Sequence, residues 1–224
     1  MFAQVTISGF TITSSNDDEY YYNNGLRIKN SDYNRISNNI IKDNYHGLYL
    51  IESDYNNISN NIISNRWLNG ITLEYSNYNS IWENIINDNE YGLHIYCGEG
   101  NRIVRNIISN SWDGIDIISS NNNYIYYNHI WDNSKRDIYI RNSTNNKFVC
   151  NNIEYMWHTI SIWIIFNRLF DDKVYTIYSD NYWYNNYWGF PRIFPKIIFT
   201  PYTFEFDVDW YPALLPHDIP VPEV

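Results

Sequence analysis

Apolar residues return along this chain at two intervals. Over short spans they alternate, as in Leu48 and Leu50, Ile71 and Leu73, Leu93 and Ile95, and Ile115 and Ile117. A spacing of two belongs to a half-buried strand rather than a helix. Over a longer span the same pairs recur behind a glycine, at Gly25, Gly47, Gly70, Gly92 and Gly114, in steps of 22, 23, 22 and 22 residues. Asp137 takes the glycine place one step of 23 later. A fixed period of this size predicts stacked units, none of which can bury its apolar face alone.

Numbering each unit from its glycine as zero exposes further rows. Position +11 holds Ile36, Ile58, Ile81, Ile103, Ile125 and Phe148, and position +16 holds Ile41, Ile63, Ile86, Ile108, Ile130 and Ile153. Like positions stack about 4.8 Å apart when each unit is one rung of a parallel coil. The reading is an all-β, right-handed parallel β-helix of about seven rungs over residues 1–174. About seven extra residues near 13–24 are expected to project as a loop, and residues near 155–170 to form a degenerate last rung around Thr159–Ile162. Residues 175–224 are aromatic and hold every proline of the chain. An irregular cap is expected there, because a stack ends in an edge that must be covered. Val5 to Ile12 already resembles half a rung, so either a start lies upstream or the first rung is bare.

Two rows are wholly asparagine: Asn34, Asn56, Asn79, Asn101, Asn123 and Asn146 at +9, and Asn39, Asn61, Asn84, Asn106, Asn128 and Asn151 at +14. Asparagine tolerates left-handed turns, and stacked amides can bond from rung to rung. The row at +15, Ile40, Ile62, Ile85, Ile107 and His129, is expected to point outward by alternation. It reflects either strand propensity or a stripe covered by the C-terminal segment or a partner chain.

Charge narrows the partners. The chain carries a formal net charge of −10 with no basic stripe, which argues against nucleic acid. No apolar run reaches the length of a membrane span, and the first residues do not read as a signal peptide. Cys97 and Cys150 sit at +5 and +13, two rungs apart, beyond disulfide reach.

The repeat Asn-x-Ile-x-x-Asn-x-Ile followed by Gly-Ile-x-Leu-x-x-Ser-x-x-Asn resembles that of NosD-like proteins, related to the carbohydrate-binding and sugar-hydrolase β-helix class. The C-terminal stretches Asn186-Tyr-Trp-Gly189, Pro191–Lys196, Asp207–Pro212 and Pro216–Ile219 resemble the same group. The resemblance implies an exported or cell-surface protein and, through the family name, a role in copper-site maturation. Copper(I) would seek clustered Cys, Met or His, whereas His46, His94, His129, His158 and His217 occupy unrelated rung positions.

Candidate chemistry lies on the strand after each glycine. Its outward residues include Tyr49, Glu74, His94, Tyr96, Asp116, Tyr139 and Arg141. Glu74, His94 and Asp116 are the catalytic candidates, since acid–base work on a sugar needs such a trio. Tyr49, Tyr96, Tyr139 and Arg141 are candidate ligand contacts; the alternative is a solvated polar face. Asp32, Asp54 and Glu99 form an acidic row that either holds calcium or points into water. No other cofactor is expected. Three functions stay open: a non-catalytic module contacting a neutral polysaccharide or another surface protein, a polysaccharide lyase or hydrolase, and a copper accessory protein.

Overall fold

The computed structural model describes residues 4–13, 23–65, 67–154, 174–177, 180–189, 196–199, 206–209 and 211–219. Three sheets run the length of a parallel β-helix of about six turns. Six-residue strands such as His46–Ile51, Tyr91–Tyr96 and Asp113–Ile118 make the first sheet. Three-residue strands make the third sheet and the second as far as Tyr126, for example Asn57–Ser59 and Arg102–Val104 in the second, and Ile62–Ser64 and Ile107–Ser109 in the third. Equivalent residues pair directly: Leu48 with Ile71, Ile81 with Ile103, Ile86 with Ile108. Ile7 pairs with Ile36, which places the extra residues of this turn between them; the loop residues 14–22 lie outside the described chain.

The alternating aliphatics face inward, and the rows at +1, +3, +11 and +16 are fully buried from Leu48 to Ile140. Glycine stands second in five first-sheet strands for a steric reason. A Cβ on Gly47 would lie 2.5 Å from the Gly70 carbonyl oxygen and 2.7 Å from the Ile63 γ-methyl. Ile40 is exposed and Ile62, Ile85 and Ile107 are half-buried, on the outside of the third sheet.

The asparagines do not occupy the left-handed positions. Those fall one residue earlier, at Tyr33, Tyr55 and Tyr78 and at Asn38, Asn60 and Glu83, with φ between 54° and 61°. The earlier residue turns the chain, and the asparagine then aims its amide inward. Asn84 donates to Asn106 Oδ1 at 3.0 Å and to the carbonyls of Ile58 and Trp82, while its own Oδ1 accepts from Asn61 N and Nδ2. A third ladder runs Asn44, Asn65, Asn89, Ser111, Asn133. The sequence rows hide it because Asn65 stands at +18 and its fellows at +19.

The parallel stack continues past residue 174. Val174–Ile177 pairs with Arg136–Arg141, and Asp180–Tyr184 pairs with Thr144–Val149. The place next to Arg136–Arg141 is therefore taken by Val174–Ile177, and not by Thr159–Ile162 as the period predicts; residues 155–173 lie outside the described chain. Phe206–Asp209 then joins the second sheet, with Lys196–Phe199 antiparallel beside it. Phe148, Trp183 and Trp188 fill this end of the core, with Phe148 and Trp183 stacked at 4.1 Å. Buried Asp209 accepts from Asn186 N and Nδ2 and from Trp188 Nε1, which explains the Asn186–Gly189 and Asp207–Pro212 stretches together.

Asn84→Ala would strand the buried N–H of Asn61 and take one donor each from the carbonyls of Ile58 and Trp82. A buried unsatisfied group costs about 1–3 kcal/mol, and a loss in that range is expected. Asn60→Gly, at a left-handed turn residue, should cost under about 1 kcal/mol. Urea denaturation of both variants checks this; similar midpoints for the two would show that the amide ladder does not hold the turns.

Candidate functional site

Three outward rows meet on the first sheet. The middle row contains Tyr49, Thr72, His94, Asp116 and Tyr139 in direct register. The row before the glycines contains Asn24, His46, Asn69, Tyr91, Asp113 and Arg136, and the row at +4 contains Glu74, Tyr96 and Arg141.

His94 Nδ1 lies 2.8 Å from Asp116 Oδ2. Asp116 is only 3% exposed. Tyr49 donates its hydroxyl to Glu74, and Asn69 Nδ2 donates to Thr72 Oγ1 at 2.8 Å. Arg136 binds both carboxylate oxygens of Asp113, with Nε to Oδ1 at 2.8 Å, and its guanidinium lies 3.8 Å from the Tyr139 ring centre. The middle row is not the solvated surface that alternation suggests. Thr72 and Asp116 are buried, and rings gather on the same face: Tyr91 lies 5.9 Å from His94, and His94 6.5 Å from Tyr96.

This packing disturbs the titrating groups. Burial, then the nearby His94, lowers His46 to about 4, against a smaller opposing pull from Glu74. Burial, then the bond to Glu74, pushes Tyr49 up to about 12. Burial works against the charge on Arg136, but the Asp113 carboxylate outweighs it and raises its proton affinity.

The polar complement of the face is incomplete. Among the described residues, several buried side-chain N or O atoms lack a hydrogen-bond partner. Four of them, Asn24 Oδ1, His46 Nδ1, Asn69 Oδ1 and Asp116 Oδ1, belong to this one face. Buried polar groups are rarely left so in a protein, and several on one face mark a place for water or a polar ligand.

The structure thus brings Tyr49, Glu74, His94, Tyr96, Asp116 and Tyr139 onto one face, with exposed Arg141 at its edge. Sequence reasoning missed His46, Asn69, Tyr91, Asp113 and Arg136. Their row holds no aliphatic residue at any rung, and that was the available signal. The acidic row lies elsewhere and braces a turn. Asp32 Oδ1 accepts from Asp54 N and Asp54 Oδ1 from Asn77 N, both at 2.7 Å, and Glu99 accepts from Asn122 Nδ2. Among the described residues no three His, Cys, Asp or Glu side chains are grouped to hold a metal ion. Cys97 and Cys150 are free thiols.

Residues 4–203 match the family model described as periplasmic copper-binding protein (NosD). No curated protein matches the chain. The fold is similar to the Dettilon tailspike protein, at 16% identity and TM-score 0.62 over 82% of this chain and 40% of that one. It is also similar to a double mutant of the periplasmic alginate epimerase AlgG, at 21% identity and TM-score 0.57 over 74% of this chain and 47% of that one. Pectate lyase Pel9A matches at 16% identity and TM-score 0.57, over 83% of this chain and 56% of the enzyme. The chain thus spans roughly half the length of these structures, and the likeness is one of fold.

The lowered His46 carries a pH signature. Its folded value of about 4 lies below the ordinary 6.5, so the unfolded chain binds more protons between the two. Stability contributed by neutral His46 is therefore present above pH 6.5 and lost as pH falls toward 4. Compared with His46→Gln, the wild type should gain stability as pH rises from 4 to 6.5. Parallel curves in denaturant titrations across that range would contradict the assignment.

Proposed function

The chain belongs to the NosD family, and on that premise we propose that it is an exported, non-catalytic β-helix module that holds a neutral polysaccharide along the outer face of its first sheet. Export follows the family's description as periplasmic. The observation that carries the binding site is the series of unpartnered buried atoms along this face, from Asn24 to Asp116 beside His94. Three of the four are acceptors, and sugar hydroxyls supply the donors they lack. The long, regular face suits an extended chain, with Tyr96 available for stacking. Neutrality rests on the charge around His94: Glu74, Asp113 and Asp116 lie on the middle rungs, the Arg136 guanidinium is committed to Asp113, and Arg27, Lys29 and Arg141 stand at the two ends of the face.

A catalytic reading draws on one geometry, the carboxylate-oriented imidazole of His94 with Glu74 on the adjacent row. The described donors fit copper(I) poorly. His94 is tied to Asp116, and Cys150 is buried, with Asn185 Nδ2 3.3 Å from its sulfur.

Calorimetry against a panel of neutral polysaccharides tests the proposal. The Tyr96→Ala, Asp116→Ala double variant should bind at least about tenfold more weakly than the wild type, or about 1.4 kcal/mol. Equal binding by the two proteins would move the site off this face. New reducing ends or unsaturated products would replace the module with an enzyme, and copper retained stoichiometrically after dialysis would favour the accessory role.

A further inference from the structure

The second sheet has an outer face of another character. Its outward rows, at +10 and +12, run from Arg35 and Ser37 to Tyr182 and Tyr184 without a carboxylate, in a chain of net charge −10. In the C-terminal half the +10 row alternates: Arg102, Tyr124, Lys147 and Tyr182 are direct partners from strand to strand. All four are exposed. Arg102 donates to the Tyr126 hydroxyl at 2.9 Å, and the Lys147 ammonium lies 5.3 Å from the Tyr124 ring centre. Tyr182 stacks on Tyr184 at 6.3 Å. The tyrosines are thus held in a fixed array rather than scattered on the surface.

Rungs lie about 4.8 Å apart, so cation repeats on cation, and ring on ring, about every 9.6 Å. An extended disaccharide unit spans a similar length. We infer that this face binds an acidic polysaccharide with one carboxylate per disaccharide, its uronate rings over Arg102 and Lys147 and its neutral rings against Tyr124 and Tyr182. Exposed cations attract the carboxylates, and the phenol rings take the apolar faces of the neutral sugars. The site is separate from the first-sheet face and stands whether or not that face binds a glycan.

The test titrates the whole protein with hyaluronan oligosaccharides, which alternate uronate and N-acetylhexosamine, beside dextran, polygalacturonate and oligothymidylate. Hyaluronan should bind more tightly than dextran or polygalacturonate and weaken as salt rises. Arg102→Glu with Lys147→Glu should reduce its affinity at least tenfold, and so should Tyr124→Ser with Tyr182→Ser, each variant keeping the wild-type unfolding transition. Tyr96→Ala with Asp116→Ala should leave it unchanged. Equal hyaluronan binding by the wild type and the charge-reversed variant would overturn the inference, as would its absence in the wild type. Oligothymidylate bound as tightly as hyaluronan would overturn it in favour of nucleic acid, and polygalacturonate bound equally well would overturn the alternating register.

Discussion

The amide ladder is the constraint on which the rest depends. A β-helix must turn its chain at the corners of every rung, and each turn buries peptide groups that no sheet reaches. A buried peptide group without a partner costs as much as a lost hydrogen bond. Asparagine offers a donor and an acceptor on a side chain short enough to fit under the turn. Asn56 meets Asn79, Asn79 meets Asn101, and Asn101 meets Asn123, so every turn is satisfied by its neighbour. Because the ladder fixes rung upon rung, it also fixes the register of everything outside.

That register turns sequence spacing into surface geometry. His94 meets Asp116 because they stand 22 residues apart in a chain whose rungs there are 22 residues long. On the second sheet the same rule aligns Arg102 with Tyr124 and Tyr124 with Lys147. The two faces differ in chemistry, but both inherit their spacing from the turns. The exposed tyrosines Tyr33, Tyr55 and Tyr78 obey it as well, with rings stacked at 5.1 and 5.2 Å along one edge.

Much of this was legible before the structure. The isoleucine rows at +11 and +16 announce the sheets, because strand alternation and a fixed period leave few other folds. The pairing of His94 with Asp116 followed from period alone. The left-handed residues were not legible, since Tyr33, Glu83 and Arg105 adopt that backbone without being typical of it. Nor was the burial of Asp116, which spacing alone does not give. The C-terminal rungs escaped the period because Ile138 pairs with Val174, a step of 36 residues.

The ladder at +14 also has a polarity. Backbone bonds between rungs run in both senses: Asn57 N donates back to Asn34 O, while Tyr33 N donates forward to Asp54 O. Their dipoles largely cancel. The side-chain amides do not alternate, for every Oδ1 from Asn61 to Asn186 accepts from the rung before it. All these carbonyls therefore point toward the N-terminal end, and the column acts as an extended electric dipole with its positive pole at the C-terminal end. At that pole stands Asp209, a carboxylate instead of another amide. The anion meets the field in its favourable direction, as an acidic side chain does at the start of an α-helix. It also has no amide hydrogen to hand on, so this column of side chains has a last member by virtue of its charge.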